Sequence, residues 1–146
     1  MELPLDAEKL IPQRKPMRLV DRLNESDGKS GSASACFSAD CHFVIDNNGT
    51  IDRSAVLELI AQSYAATKGY EDLSSEKEPS KGYLVGISQA VFHADAYAGQ
   101  DLLIRVSTEE TFDNFSLATG EVWHNDTLLL KAKLKIWINS ENSRNA

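Results

Sequence analysis

Two side chains in the stretch CHFVIDNNGTIDRSAVLELIAQSYAATKGY, residues 41–70, could exchange protons near neutral pH: His42 and Glu58. An imidazole titrates in the physiological range and suits a general base. A carboxyl kept neutral by apolar surroundings can serve as the matching acid. Together they would make an acid–base pair. The plainer alternative is a surface histidine and a carboxylate paired with Arg14, Arg18 or Arg22. Glu58 stands alone among apolar helix residues, where an unpaired charge costs several kcal/mol, so it needs a partner or a purpose.

The element that must carry Glu58 is a helix over 53–68. The run SAVLELIAQSYAA (54–66) holds good helix formers and neither Gly nor Pro. Asp52 is placed to be the N-cap, and Ile51 with Val56 to form a hydrophobic staple. Lys68 followed by Gly69 predicts the end: a cation in the last turn, then glycine at C′. Apolar residues lie on nearly every side (Val56, Leu57, Leu59, Ile60, Tyr64), which predicts a buried helix roughly 24 Å long. Gln62 stands one turn after Glu58 on the same face.

The rest of the chain reads as strands. MRLVDRL (17–23) and GSASACFSA (31–39) flank a turn at 26–28. Four more runs follow, at 82–94, 101–110, 115–124 and 127–138, and read as a meander. The last alternates cleanly, with Leu130, Ala132, Leu134, Ile136 and Ile138 on one face and Lys131, Lys133 and Lys135 on the other. Asn125–Asp126 predicts a tight hairpin turn. Segment 71–81, charged and bearing Pro and Ser, reads as a mobile surface loop, and 139–146 as a polar tail after a single domain over 1–138. A helix hydrophobic all round needs cover on several sides. An antiparallel sheet curled about it, of α+β class, supplies that cover. Its open edges invite pairing with a second copy, so a dimer is expected.

The 146 residues carry a net charge of −7, with no block of Lys or Arg to displace phosphate counterions, which argues against a nucleic-acid partner. The opening MELPLDAEKL lacks a basic, apolar leader, and no window reaches the ~18 apolar residues of a membrane span. A cytoplasmic protein is expected, with Cys36 and Cys41 as free thiols. Neither ligand spacing nor a phosphate-cradling glycine loop implies a metal or an organic cofactor.

Several blocks, in order, resemble the (3R)-hydroxyacyl-acyl-carrier-protein dehydratases of fatty-acid synthesis. LIPQRKPMRLVDRL (10–23) is similar to their opening L-P-H-R-x-P-F-L-L-V-D-R, with Gln13 in place of the histidine. VLELIAQSYAA (56–66) resembles the V-L-x-x-E-A-x-A-Q-x-x-A helix, and 82–106 the strand and turn that follow. LATGEVWHNDTLLLKAKLKI resembles the closing hairpin. The family's H-F-P-G-x-P-x-x-P-G loop departs most. Here HF lies sixteen residues before the glutamate instead of fourteen, every proline is gone, and Gly49 is the one glycine kept. Pro16–Met17 and FVIDNNG are closer to a divergent bacterial branch, associated with aryl-polyene and related polyketide-type clusters, that lacks the usual histidine loop motif.

The resemblance implies a hotdog fold: about six antiparallel strands around one long central helix, dimeric, with an acyl tunnel at the subunit interface. It implies removal of water from a 3-hydroxyacyl thioester in fatty-acid or polyketide-type lipid synthesis. The substrate would ride on acyl-carrier protein or coenzyme A. Glu58 would be the acid and His42 the base, with Gln62, Gly49, Ala61 and Phe92 lining the acyl site. Backbone N–H groups at the helix start would receive the thioester oxygen. Two readings of His42 stay open: a base reached through a two-residue insertion, or a solvent histidine at a strand end. The second favours a non-catalytic acyl-binding subunit paired with an active homologue. An acyl thioesterase, which needs no histidine, is a third reading.

Overall fold

The computed structural model describes residues 2–75 and 81–139. Its elements run β1 (Leu5–Asp6), a short 3-10 turn (Ala7–Lys9), β2 (Arg22–Ser26), β3 (Ser30–Ala35), α1 (Arg53–Ser74), β4 (Lys81–Phe92), β5 (Leu102–Phe112), β6 (Phe115–His124) and β7 (Thr127–Asn139). All seven strands form one antiparallel sheet in the order β1-β2-β3-β5-β6-β7-β4. The sheet wraps α1, which touches β2, β3, β5, β6 and β7. This is the hotdog arrangement, with a two-residue seventh strand added at one edge.

Alternation on the strands explains which face meets the helix. Leu130, Ala132, Leu134 and Ile136 are buried, while Lys131, Lys133 and Lys135 are exposed. Leu102, Ile104 and Val106 of β5 and Ala118 and Val122 of β6 join them in a core shared with Val56, Leu59, Ile60 and Tyr64 of α1. Gly120 lets the helix close onto the sheet, since a Cβ there would overlap the Ile60 side chain. Tight turns at Asp113–Asn114 and Asn125–Asp126 join β5, β6 and β7. Asp113 and Asn125 adopt φ of 47° and 53°, a left-handed geometry that Asn and Asp tolerate.

Four expectations need correction. The strand expected from Met17 begins at Arg22, as β2, because 17–20 is held to α1 by the Gln62 side chain instead of to a neighbouring strand. Its partner ends at Ala35, before Cys36. The last four long strands are not a simple meander: β4 pairs with β7 at the far edge, and β5 sits beside β3. The connection 93–101 is too long for a hairpin and spends its hydrogen bonds elsewhere. Ile51 N–H donates to the Ala96 carbonyl at 2.9 Å and Ala98 N–H to that of Gly49 at 2.8 Å.

The helix also outruns its expected end. It continues through Gly69 to Ser74, taking in the first part of the segment read as a loop; 76–80 lie outside the described residues, as does the tail beyond Asn139. Gly69 serves packing instead of capping, since a Cβ there would strike the Leu10 carbonyl of the N-terminal segment. Lys68, likewise, reaches the Gly28 carbonyl at 3.1 Å in the β2–β3 turn.

Candidate active site

Glu58 projects from the second turn of α1, on the strip with Leu57, Ala61 and Ala65 that is only partly buried in the protomer. None of the three arginines that could neutralise it does so. Arg14 pairs with Glu8, Arg18 lies 3.9 Å from Asp21 and Arg22 lies 3.8 Å from Asp6. The carboxylate instead accepts a hydrogen bond from Gln62 Nε2 at 3.3 Å. Among the described residues, ion pairing therefore does not account for Glu58.

Gln62 is 1% exposed, and its amide works in both directions. Its Oε1 accepts from Leu19 N–H at 2.8 Å and Val20 N–H at 3.3 Å, and its Nε2 donates to the Met17 carbonyl at 2.8 Å. The opening motif residues PMRLV thus have no strand partner because the helix supplies one. The spacing of Glu58 and Gln62 made their shared face legible. The pinning of 17–20 was not, because a contact 42 to 45 positions apart leaves no local trace.

His42 does not meet Glu58. It is exposed and stacks on Phe43, with ring centroids 4.1 Å apart. It makes no ion pair or hydrogen bond among the described residues. His93 is exposed and His124 lies at the β6–β7 hairpin, so neither stands in for it.

The loop between His42 and α1 is nonetheless well built. Asp46 Oδ1 accepts from the N–H groups of Asn48 and Thr50, both at 3.0 Å. Ile45 N–H donates to the Thr50 carbonyl and Asp52 N–H to that of Phe43. Gly49 takes φ of 80°, a conformation glycine adopts without cost. Hydrogen bonds to a carboxylate replace proline as the stiffener. Those from Thr50 hold the Asp46 carboxyl below its ordinary value of 3.8, with Asn48 and Gly49 adding to the effect. An Asp–Asn–Asn–Gly run is a turn signal that sequence reading could have used more fully.

At the helix start, Asp52 caps as expected, its Oδ1 accepting from Ser54 N–H at 2.9 Å. Its carbonyl also accepts from Ala55 and Val56. These donors are therefore engaged and not free to receive a thioester oxygen. Arg53 lies over Phe92, its guanidinium carbon 4.9 Å from the ring centroid, and meets Asp95 at 3.1 Å. Phe92 and Gly49 thus stand around the start of α1, whereas Ala61 and Gln62 share the Glu58 strip. No group of three or more His, Cys, Asp or Glu among the described residues is placed to hold a metal.

A family model described as ApeP dehydratase, ApeP-like, matches residues 5–145. The chain belongs to the ApeP-like family. Among solved structures it resembles the dehydratase heterocomplex ApeI:P from Xenorhabdus doucetiae, with 17% identity, TM-score 0.82 and coverage of 99% of this chain and 97% of that one. It also resembles the uncharacterized protein PH1136 from Pyrococcus horikoshii, with 12% identity, TM-score 0.72 and coverage of 96% and 97%. A hypothetical thioesterase from Streptococcus pneumoniae TIGR4, solved with coenzyme A, matches at 8% identity and TM-score 0.64, covering 81% and 84%. None of the curated proteins matches. At these identities the structural likenesses establish the fold, while the family match makes this ApeP-like chain a dehydratase-like protein. None of its described helices is long and apolar enough to cross a membrane.

Proposed function

We propose that this ApeP-like chain is one subunit of a 3-hydroxyacyl-thioester dehydratase whose site is completed by a homologous subunit. The observation that carries the reading is Glu58: a helix carboxylate on a half-open face, oriented by Gln62, with no ion pair among the described residues. In the elimination a base takes the proton from the carbon next to the thioester carbonyl. The freed electron pair forms the trans double bond as the C3–O bond breaks, and Glu58 protonates the departing hydroxyl to give water. The base comes from the facing subunit, as do donors for the thioester oxygen, because His42 stands exposed and the N–H groups of Ser54, Ala55 and Val56 are bonded to Asp52 in this protomer. Ala61 leaves room beside Glu58 for the acyl chain or a close contact, and Phe92 and Gly49 belong to the wall near the helix start. The Xenorhabdus structure is a dehydratase heterocomplex, and two subunits fit this division of labour. The substrate is carried by acyl-carrier protein or coenzyme A in fatty-acid or polyketide-type lipid synthesis, in the cytoplasm.

A second reading draws on His42: its exposure favours a non-catalytic, acyl-binding subunit that supports an active homologue. The test follows formation of the enoyl product from a short 3-hydroxyacyl thioester by ultraviolet absorbance, for the chain alone and mixed with a homologous partner. Turnover lost in Glu58→Gln supports the first reading. Turnover that requires the partner but survives Glu58→Gln supports the second. Release of free thiol without enoyl formation would overturn both in favour of a thioesterase.

A further inference from the structure

Residues 9–20 hold four cations, Lys9, Arg14, Lys15 and Arg18, and no carboxylate, in a chain whose net charge is −7. This stretch lies against α1. A Cβ on Gly69 would strike the Leu10 carbonyl, and Gln62 Nε2 donates to the Met17 carbonyl. The stretch therefore follows the helix for about 10 Å between those two contacts. The same Gln62 nitrogen bonds Glu58 Oε1, so the Met17 carbonyl and the Glu58 carboxylate lie within about 6 Å of each other, the sum of the two contacts. Residues 14–17, all exposed, are thus a border of the candidate site. Two of the four cations are engaged: Arg14 pairs with Glu8, and Arg18, its side chain 12% exposed, lies 3.9 Å from Asp21. Lys9 and Lys15 are exposed and make no ion pair among the described residues. Farther along the helix, Arg53 is held by Asp95 and Lys68 by Glu71.

We propose that Lys15, with Lys9 beyond it toward Gly69, receives the phosphate of the pantetheine arm that carries the acyl thioester. This rests on the dehydratase reading, which puts the thioester at Glu58 and leaves its carrier open. Coenzyme A and acyl-carrier protein share the arm, a pantetheine chain ending in a phosphate that is anionic at neutral pH. Lys15 stands two residues from Met17, roughly 7 Å of backbone at most, and its own side chain extends that reach. Its distance from Glu58 is then one that a pantetheine chain spans, thioester at one end and phosphate at the other. An ammonium binds phosphate as a point charge on a flexible stem, which suits an exposed segment. Two free cations beside the site also draw the anionic end of the substrate to this side of α1, against the repulsion of the whole chain. Met17, 57% exposed next to this border, offers the arm an apolar surface.

The test is calorimetric titration of the full chain with 4′-phosphopantetheine and with pantetheine, which differ only in the phosphate. The phosphorylated ligand should bind at least about fivefold more tightly at low salt, and about 1 M salt should erase the difference. Lys9→Gln/Lys15→Gln should bring the two ligands to within about twofold of each other while leaving the urea unfolding midpoint unchanged. Equal binding of both ligands by wild type, binding of neither, or a preference that survives in the double variant overturns the proposal. Coenzyme A separates the two carriers. Affinity equal to that of 4′-phosphopantetheine supports the proposal with the arm alone being read, as a carrier protein presents it. Tighter binding supports it with the nucleotide phosphates added. Enoyl formation scores the dehydratase reading separately. A phosphate preference without turnover keeps the site and removes that reading; turnover without the preference does the reverse.

Discussion

Gln62 and Glu58 behave as one unit, and their substitutions should separate architecture from chemistry. Gln62→Leu removes the partner of Leu19 N–H and of the Met17 carbonyl. Leaving those groups unpaired should cost about 2–4 kcal/mol, read as a lower midpoint in urea unfolding. Glu58→Gln keeps the shape and should leave that midpoint nearly unchanged while lowering turnover by about two to four orders of magnitude. A Glu58→Gln variant as active as wild type would remove Glu58 from the acid's role. His42→Ala should alter neither, since His42 is exposed and makes no hydrogen bond or ion pair among the described residues.

The turns and caps are where pH should act. Asp27, Asp46 and Asp52 each accept backbone hydrogen bonds, and those from Ser30, Thr50 and Ser54 respectively contribute most to holding their carboxyls below 3.8. A depressed folded pKa means stability that is present above the unfolded value and lost as pH falls through the folded one. The melting temperature should therefore be flat with respect to these groups above about pH 5 and drop below about pH 4. Asp46→Asn should flatten part of that drop; an unchanged profile would show that the 46–50 turn does not contribute. The helix offers a second check. Gly69→Ala places a Cβ against the Leu10 carbonyl, and overpacking of this kind costs about 1–3 kcal/mol despite alanine's better helix propensity. Thermal unfolding of the variant reads the sign, and a stabilised protein would contradict the packing.

At the scale of the whole molecule, β4 is the long edge strand of the sheet among the described residues, and its Ile87 and Val91 are 42% and 41% exposed. A long edge strand with exposed β-branched residues is a template for pairing. If the homologous subunit that completes the site docks here, Ile87→Lys/Val91→Lys should abolish co-purification of the pair without unfolding the chain. Retained co-purification would move the interface elsewhere.

Much of this was legible in the residues. Asp52 as N-cap, the buried helix, the Asn125–Asp126 turn and the β7 alternation as far as Ile136 are all local signals, set within a few positions by propensity, capping or period, and the structure keeps each of them; the side chain of Ile138 lies outside the described residues. Glu58 as the residue needing explanation also followed from local reasoning, because a carboxylate on an apolar helix is conspicuous by itself. Placement across the sheet did not follow. That β4 leaves its sequential neighbour for β7, that Gly69 admits the Leu10 carbonyl instead of ending the helix, and that Gln62 takes over the backbone of 17–20 each depend on which distant segment arrives at a given surface. Such contacts are chosen by the packing of the whole core and carry no period or motif in the chain. His42 shows the same division: its imidazole is written in the sequence, but whether it faces Glu58 or water is decided only by the loop that Asp46 closes.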